Sequence, residues 1–214
     1  MRKVWNRSNL LEIKQKGNVE ENIIAELNKI DNLTARIPKK LLPKMAIYNI
    51  PADLNKDTII EAIFDQNDAI TFQYQGDKEM YKRDISAKFK WGKRPDSKHW
   101  VFEVTPKLRK IMNRQRKVNI GWVRCNMEEY YSIIQCYKCC RYGHFAKECR
   151  SEHSYCNYYG EDHRYSDCKN KATAPSCINC IKAKAPTSAH KADNNTCTER
   201  GKIIKNIITK TNYE

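Results

Sequence analysis

The stretch Cys136-Tyr137-Lys138-Cys139-Cys140-Arg141-Tyr142-Gly143-His144-Phe145-Ala146-Lys147-Glu148-Cys149 decides how the C-terminal part of this chain folds. Cys136, Cys139, His144 and Cys149 stand in the spacing C-x2-C-x4-H-x4-C. Zinc takes four tetrahedral sulfur and nitrogen ligands, and a closed set of four makes a structural site. A cysteine pair this close bites a metal from one turn, and short loops carry the histidine and last cysteine to the remaining vertices. So short a unit has no apolar core, so metal binding supplies most of its folding free energy. Gly143 lets the backbone turn sharply ahead of the histidine. Tyr137 and Phe145 flank a shallow cleft, where stacking of an unpaired base is worth roughly 1–3 kcal/mol. Lys138, Arg141, Lys147 and Arg150 surround that cleft and can meet phosphates. The same two rings also serve as an apolar cap on the metal site, and the two roles are compatible.

Two more units follow. Cys177, Cys180, His190 and Cys197 give C-x2-C-x9-H-x6-C, a less distinctive spacing that reads as a third zinc site or as a flexible loop with fortuitous cysteines. Between them, Cys156, His163 and Cys168 supply three ligands, with Tyr159 standing where a second cysteine belongs. A phenol is a poor zinc ligand at neutral pH. Three ligands with an open position formally describe a catalytic zinc, but no general base or substrate pocket is suggested nearby. The alternatives are rescue by His153, in the pattern H-x2-C-x6-H-x4-C, or erosion of the site.

The bulk numbers agree with a metal-dependent, nucleic-acid-facing chain. Its 214 residues carry 40 Lys plus Arg against 25 Asp plus Glu, a formal charge of +15. Such a balance suits an acidic partner, most commonly nucleic acid, although surface lysines also serve solubility alone. Nine of the ten cysteines follow Gln135. No apolar stretch of signal-peptide or membrane-span length is visible. Clustered cysteines without a secretory signal point to a reducing, intracellular setting, cytoplasmic or nuclear, where thiols bind metal rather than pair.

Upstream of residue 130 the patterning changes to mixed α/β. Residues 45–51 read as a buried strand through Ala46, Ile47 and Ile50, and Asn55 caps a helix carrying Ile60, Ile63 and Phe64. Ile85, Ala87, Phe89 and Trp91 alternate with polar residues as one apolar strand face, and Trp100, Phe102 and Val104 do likewise. Thr105 and Pro106 open a helix with Leu108, Ile111 and Met112; Val118, Ile120 and Trp122 then form a last strand. The order strand, helix, strand, strand, helix, strand over residues 45–127 is the split βαβ plan of ferredoxin-like and RNA-recognition-motif domains. Trp100 and Phe102 read as core, and RNA binding by the sheet stays open. Lys88, Lys90, Lys93 and Arg94, and separately Arg109, Lys110, Arg114, Arg116 and Lys117, form either a phosphate path or a solvated face. Residues 1–37 read as a partial βαβ module, half of a unit: strand 10–13, helix 18–30 with Asn18 and Glu21 as a capping box, strand 33–37. Residues 38–44, between Pro38 and Pro43, read as a linker, and 198–214 as a C-terminal tail.

Residues 136–149 look like the retroviral-type CCHC knuckle. The wider chain, from about residue 38 onward, resembles the Gag-like protein of the first open reading frame of jockey-like non-LTR retrotransposons. The resemblance is carried by a strand similar to Ala46-Ile47-Tyr48-Asn49-Ile50-Pro51, a Trp-containing region similar to 118–124, and the three knuckles in series at 136–149, 156–168 (degenerate) and 177–197. It implies binding of RNA or single-stranded DNA and self-association in ribonucleoprotein particles. Cys140 departs from the retroviral pattern; an extra thiol there would compete as a ligand or oxidise. The expectation is thus an α+β chain: an RNA-recognition-motif-like domain followed by a zinc-knuckle array with little regular secondary structure, binding single-stranded nucleic acid and not acting as an enzyme. Absence of a Gly-rich phosphate loop or nucleophile motif argues against the enzyme. The alternative is a host regulatory adaptor whose knuckles bind protein partners.

Overall fold

The computed structural model describes residues 2–4, 8–10, 19–36, 39–169 and 174–214. Two compact units appear, Met1–Lys40 and Leu41–Glu214. In the first, β1 (Arg2–Val4) pairs antiparallel with β2 (Ser8–Leu10), and α1 (Val19–Leu27) follows. The expected partial βαβ module is therefore a hairpin followed by a helix among the described residues. The stretch from Leu33 to Arg36 is not a strand, because the Asn28 side chain satisfies both backbone groups of Ala35, accepting its N–H at 2.7 Å and donating to its carbonyl at 3.3 Å. Ile13, Asn18 and Ile37, which were expected to take part in strand, cap and strand, lie outside the described residues.

The second unit is built on a five-stranded antiparallel sheet. Its elements are β3 (Lys44–Pro51), α2 (Lys56–Asp65), α3 (Asp68–Gln73), α4 (Lys78–Arg83), β4 (Ile85–Trp91), β5 (Ser97–Val104), α5 (Pro106–Gln115), β6 (Lys117–Ile120) and β7 (Val123–Glu129). The sheet order is β4-β5-β3-β7-β6. Lys44, expected at the end of a linker, is the first residue of β3. Asn55 caps α2 as expected, accepting from the backbone of Asp57 and Thr58 at 2.9 Å. Thr105 precedes α5 but its hydroxyl does not cap it. One face of the sheet meets α2–α5 in a core that includes Met45, Ile47, Phe102, Val104, Ile63, Tyr81, Leu108 and Met112.

Two strands depart from simple alternation. Trp122 does not continue the strand of Val118 and Ile120: Gly121 and Trp122 form the turn of a β6–β7 hairpin, with Gly121 at φ +60° and Trp122 fully exposed. In β4 the register slips by one residue between Ala87 and Phe89. Ala87 stands opposite Phe102 on the core side, whereas Phe89 and Trp91 stand opposite Val101 and His99 on the other face. A bulge inserts one residue and so reverses the pleat beyond it. Phe89 and Trp91 are thus on the face opposite α2–α5, not on the face of Ile85 and Ala87.

The final segment is more than a tail. Helix α7 (Thr198–Thr209) follows the small α6 (Ile178–Lys182), and the chain then returns to the sheet domain. Leu41 donates to Lys210 O at 2.9 Å and accepts from Asn212 N–H at 2.7 Å. Beyond that bridge the Tyr213 ring lies 4.4 Å from the Arg109 guanidinium, which is ion-paired with Glu129. No helix of the described residues is long and apolar enough to cross a membrane.

A buried amide locks the helical layer to the sheet edge. Asn67, between α2 and α3, donates to Ile63 O and Asn119 O at 2.9 and 3.0 Å and accepts from Asn119 N–H at 2.9 Å. Replacing it leaves both backbone groups of Asn119 unpaired beside the core. Asn67→Ala is expected to cost about 2–3 kcal/mol of stability, read as a lower urea midpoint at unchanged slope; a midpoint equal to that of the parent chain contradicts the assignment.

Candidate metal centres

The knuckle ligands converge as their spacing predicts. In the first unit the side-chain atoms of Cys136, Cys139, His144 and Cys149 all lie within 4.8 Å of one another, as do those of Cys177, Cys180, His190 and Cys197 in the third. Bonds of about 2.3 Å to sulfur and 2.0 Å to nitrogen put tetrahedral neighbours roughly 3.5–3.8 Å apart. The separations agree: 3.3 Å for Cys139 Sγ to His144 Nε2, 3.4 Å for Cys180 Sγ to His190 Nε2, and 3.5 and 3.8 Å from Cys197 Sγ to Cys180 and Cys177. All four residues of the third set are buried, whereas His144 and Cys149 are half-exposed. Desolvation pushes the Cys139 and Cys177 thiols up to about 11 and about 12, while the Ser151 backbone N–H, then the His144 ring, holds Cys149 down at about 6. Thiols raised this far stay protonated near neutral pH, so a metal that took them as ligands would displace their protons. These donor sets fit a soft tetrahedral metal ion.

The middle unit keeps the frame of the first. In each, the first cysteine donates its N–H to a carbonyl five residues on, Cys136 to Arg141 and Cys156 to Glu161, at 2.8 and 2.9 Å. A short 3-10 turn precedes the last cysteine in both, Ala146–Glu148 and Tyr165–Asp167. Cys156, His163 and Cys168 come together within 4.8 Å. His163 Nε2 is buried and makes no hydrogen bond, an arrangement that suits a metal ligand. His153 is not in that group: its Nδ1 is paired with the Asp162 carboxylate, and the ring is more than half exposed. Tyr159 stands in the turn after Cys156, half-buried.

Cys140 has a role that spacing alone does not reveal. It belongs to none of the three ligand sets. With φ at +58° it ends the first turn, and its buried thiol donates to Tyr155 O at 3.0 Å. Its carbonyl accepts from Gln135 Nε2 at 3.0 Å and Asn179 Nδ2 at 2.8 Å. Burial pushes its thiol up to about 12, which disfavours the thiolate and with it oxidation. Gly160 takes the equivalent position in the middle unit, at φ +74°, where a Cβ would sit 3.1 Å from Ser176 O and 3.2 Å from Ile178 N. Only glycine lets the middle and third units approach this closely. Further ties are Tyr155 N–H to Lys138 O, Ala192 N–H to Asn157 O and Tyr142 OH to Ala192 O, at 2.8, 2.9 and 2.5 Å. The three knuckles are one body around Cys140, Cys177, Ile178, Cys180, Ala192 and Cys197.

Outside that body, Tyr137 is 93% and Phe145 52% exposed, so neither ring is consumed in capping the ligands. Arg141, Lys147 and Arg150 are exposed, Lys138 is half-buried, and none makes an ion pair among the described residues. Of the upstream cations, Arg109 is committed to Glu129 and Lys88 to Glu103. No protein-family model, curated protein or solved structure matches the chain.

The ligand assignment is separable residue by residue. Native mass spectrometry of the reduced chain in zinc is expected to give three bound ions. His163→Ala should lose one, and His153→Ala and Cys140→Ala should lose none. Loss of an ion from the Cys140 variant would make it a ligand after all.

Proposed function

We propose that this chain binds single-stranded nucleic acid through zinc-organised knuckles, as a Gag-like nucleocapsid or ribonucleoprotein assembly protein. The observation that carries this reading is the exposed pair Tyr137 and Phe145 on a unit whose four ligands stand at tetrahedral spacing. A ring held on a metal-pinned turn offers a base a stacking face with little ordering cost. The unpaired cations Lys138, Arg141, Lys147 and Arg150 supply phosphate contacts around it. Zinc's part is structural: it fixes the two turns from which the rings project. The sheet order supports the split βαβ part of the reading: without β6, the order β4-β5-β3-β7 places the strand after α5 beside the first strand, as that plan requires. β6 is then an added edge strand.

Tyr137→Ala with Phe145→Ala is expected to weaken binding of a labelled single-stranded oligonucleotide by roughly 10- to 1,000-fold, from one to two lost stacking contacts. Zinc stoichiometry should stay that of the parent chain. Affinity of the parent should also fall steeply with salt, by roughly 0.7 in log–log slope per phosphate contact. Unchanged affinity in the double variant removes the knuckle from the binding site. Weak salt dependence favours a protein partner instead.

A further inference from the structure

The middle ligand group is one donor short, and no side chain nearby makes up the number. Cys156, His163 and Cys168 gather within 4.8 Å, and no Asp, Glu, further Cys or further His joins them among the described residues. The candidates that the sequence offers are engaged elsewhere: His153 is paired with Asp162, and the Cys140 thiol donates to Tyr155 O. Tyr159, at the position of the missing cysteine, carries its oxygen at the far end of a ring. A phenol oxygen stands much further from its Cα than a thiol sulfur does, so a turn sized for cysteine does not present it to the centre. His163 Nε2, meanwhile, is buried without a hydrogen-bond partner, which is costly for an atom that has no ligand to hold.

The three donors are held together without a fourth. The turn that starts at Cys156 is tied to the first unit through Tyr155 N–H to Lys138 O at 2.8 Å. It is tied to the third region through Ser176 N–H to Tyr158 O and Ala192 N–H to Asn157 O, at 2.8 and 2.9 Å. Two cysteines and one histidine form a donor set with which zinc keeps a fourth position for an outside ligand. Solvent comes close to this set, because every residue of the stretch 161–169 except His163 and Cys168 is exposed. The third set, by contrast, is complete and buried at all four ligands. A metal already bound by two sulfurs is matched best by another soft donor. Sulfur at the fourth position reproduces the three-sulfur, one-nitrogen composition of the two flanking sets. No carboxylate stands among the gathered donors to move a proton, so the arrangement suits holding a ligand rather than transforming one.

We propose that the middle knuckle is a coordinatively open metal centre that takes a small external thiol at the position no side chain fills. The thiol binds as thiolate through its sulfur and gives its proton to solvent. This rests on the same metal loading as the knuckle reading, and not on nucleic-acid binding. The full chain, kept reduced with a phosphine, is loaded with cobalt(II), whose visible absorption reports its donors, and titrated with ethanethiol or separately with acetate. Ethanethiol is expected to shift the absorption of one ion in three, acetate to shift none, and native mass spectrometry to show one thiol retained with three ions. His163→Ala should bind two ions and lose the response. Tyr159→Cys should bind three and lose it as well, because the chain then supplies the sulfur itself. Tyr159→Phe should respond as the parent does. Three ions with no thiol response, or a response that Tyr159→Phe abolishes, overturns the open position. So does a third ion that leaves as thiol is added. Two ions in the parent overturn this centre alone and leave the flanking sets and the knuckle reading standing. No bound ion at all overturns both.

Discussion

Convergence of thiol and imidazole side chains takes the place of a hydrophobic core in the C-terminal part of this chain. Between Cys136 and Cys197 the buried side chains are mainly the ligands; Ile178 and Ala192 are the buried aliphatic residues among those described. Two aliphatic side chains contribute only a few kcal/mol between them, against roughly 1–2 kcal/mol of backbone entropy for every residue ordered. An ion that binds three or four donors at once offsets that cost, which is why fold and metal binding are the same event in such segments.

That dependence reaches beyond the knuckles. Cys197 is both the last ligand of the third set and the residue from which α7 starts. At its far end α7 delivers Lys210–Asn212 to Leu41 and Tyr213 to the Arg109–Glu129 pair, whose carboxylate also accepts from Tyr131 at 2.6 Å. Arg109 and Glu129 are about one-fifth or less exposed, so their charges are matched where water is scarce. Residues from opposite ends of the unit thus tie the cysteine-rich part to the sheet domain, and a slack tether is replaced by a strap.

Local spacing was legible in the sequence because metal ligands within a knuckle lie a few residues apart and the backbone geometry of one turn is fixed. The strands were legible to the same degree, since period-two patterning locates them without reference to anything distant. What escaped depended on a single residue changing parity or on contacts between remote segments. Phe89 and Trp91 satisfy the apolar alternation begun by Ile85, and nothing in that pattern marks the inserted residue that turns them over. Trp122 continues the alternation of Val118 and Ile120 while lying in a turn; Gly121 was the available signal. Cys140 resembled a surplus ligand because its acceptor, Tyr155 O, belongs to the next unit. The pairing of His153 with the Asp162 carboxylate is likewise set by the folded turn rather than by spacing.

The middle unit shows what fusion of the knuckles does. An isolated knuckle that loses one of four ligands loses most of the free energy that folds it. Here Tyr155 is hydrogen-bonded to the first unit, through Lys138 O and the Cys140 thiol, while Tyr158 O and Asn157 O accept from Ser176 and Ala192 of the third region. The turn carrying Cys156 is therefore held on both sides by neighbours that have complete ligand sets. Its geometry holds with only three gathered donors because it is supported from outside. With the frame imposed, three donors remain gathered, and the ordering that a metal would otherwise have to drive is already done. Loss of a ligand then lowers affinity at one centre without dissolving the surface that the three units build together.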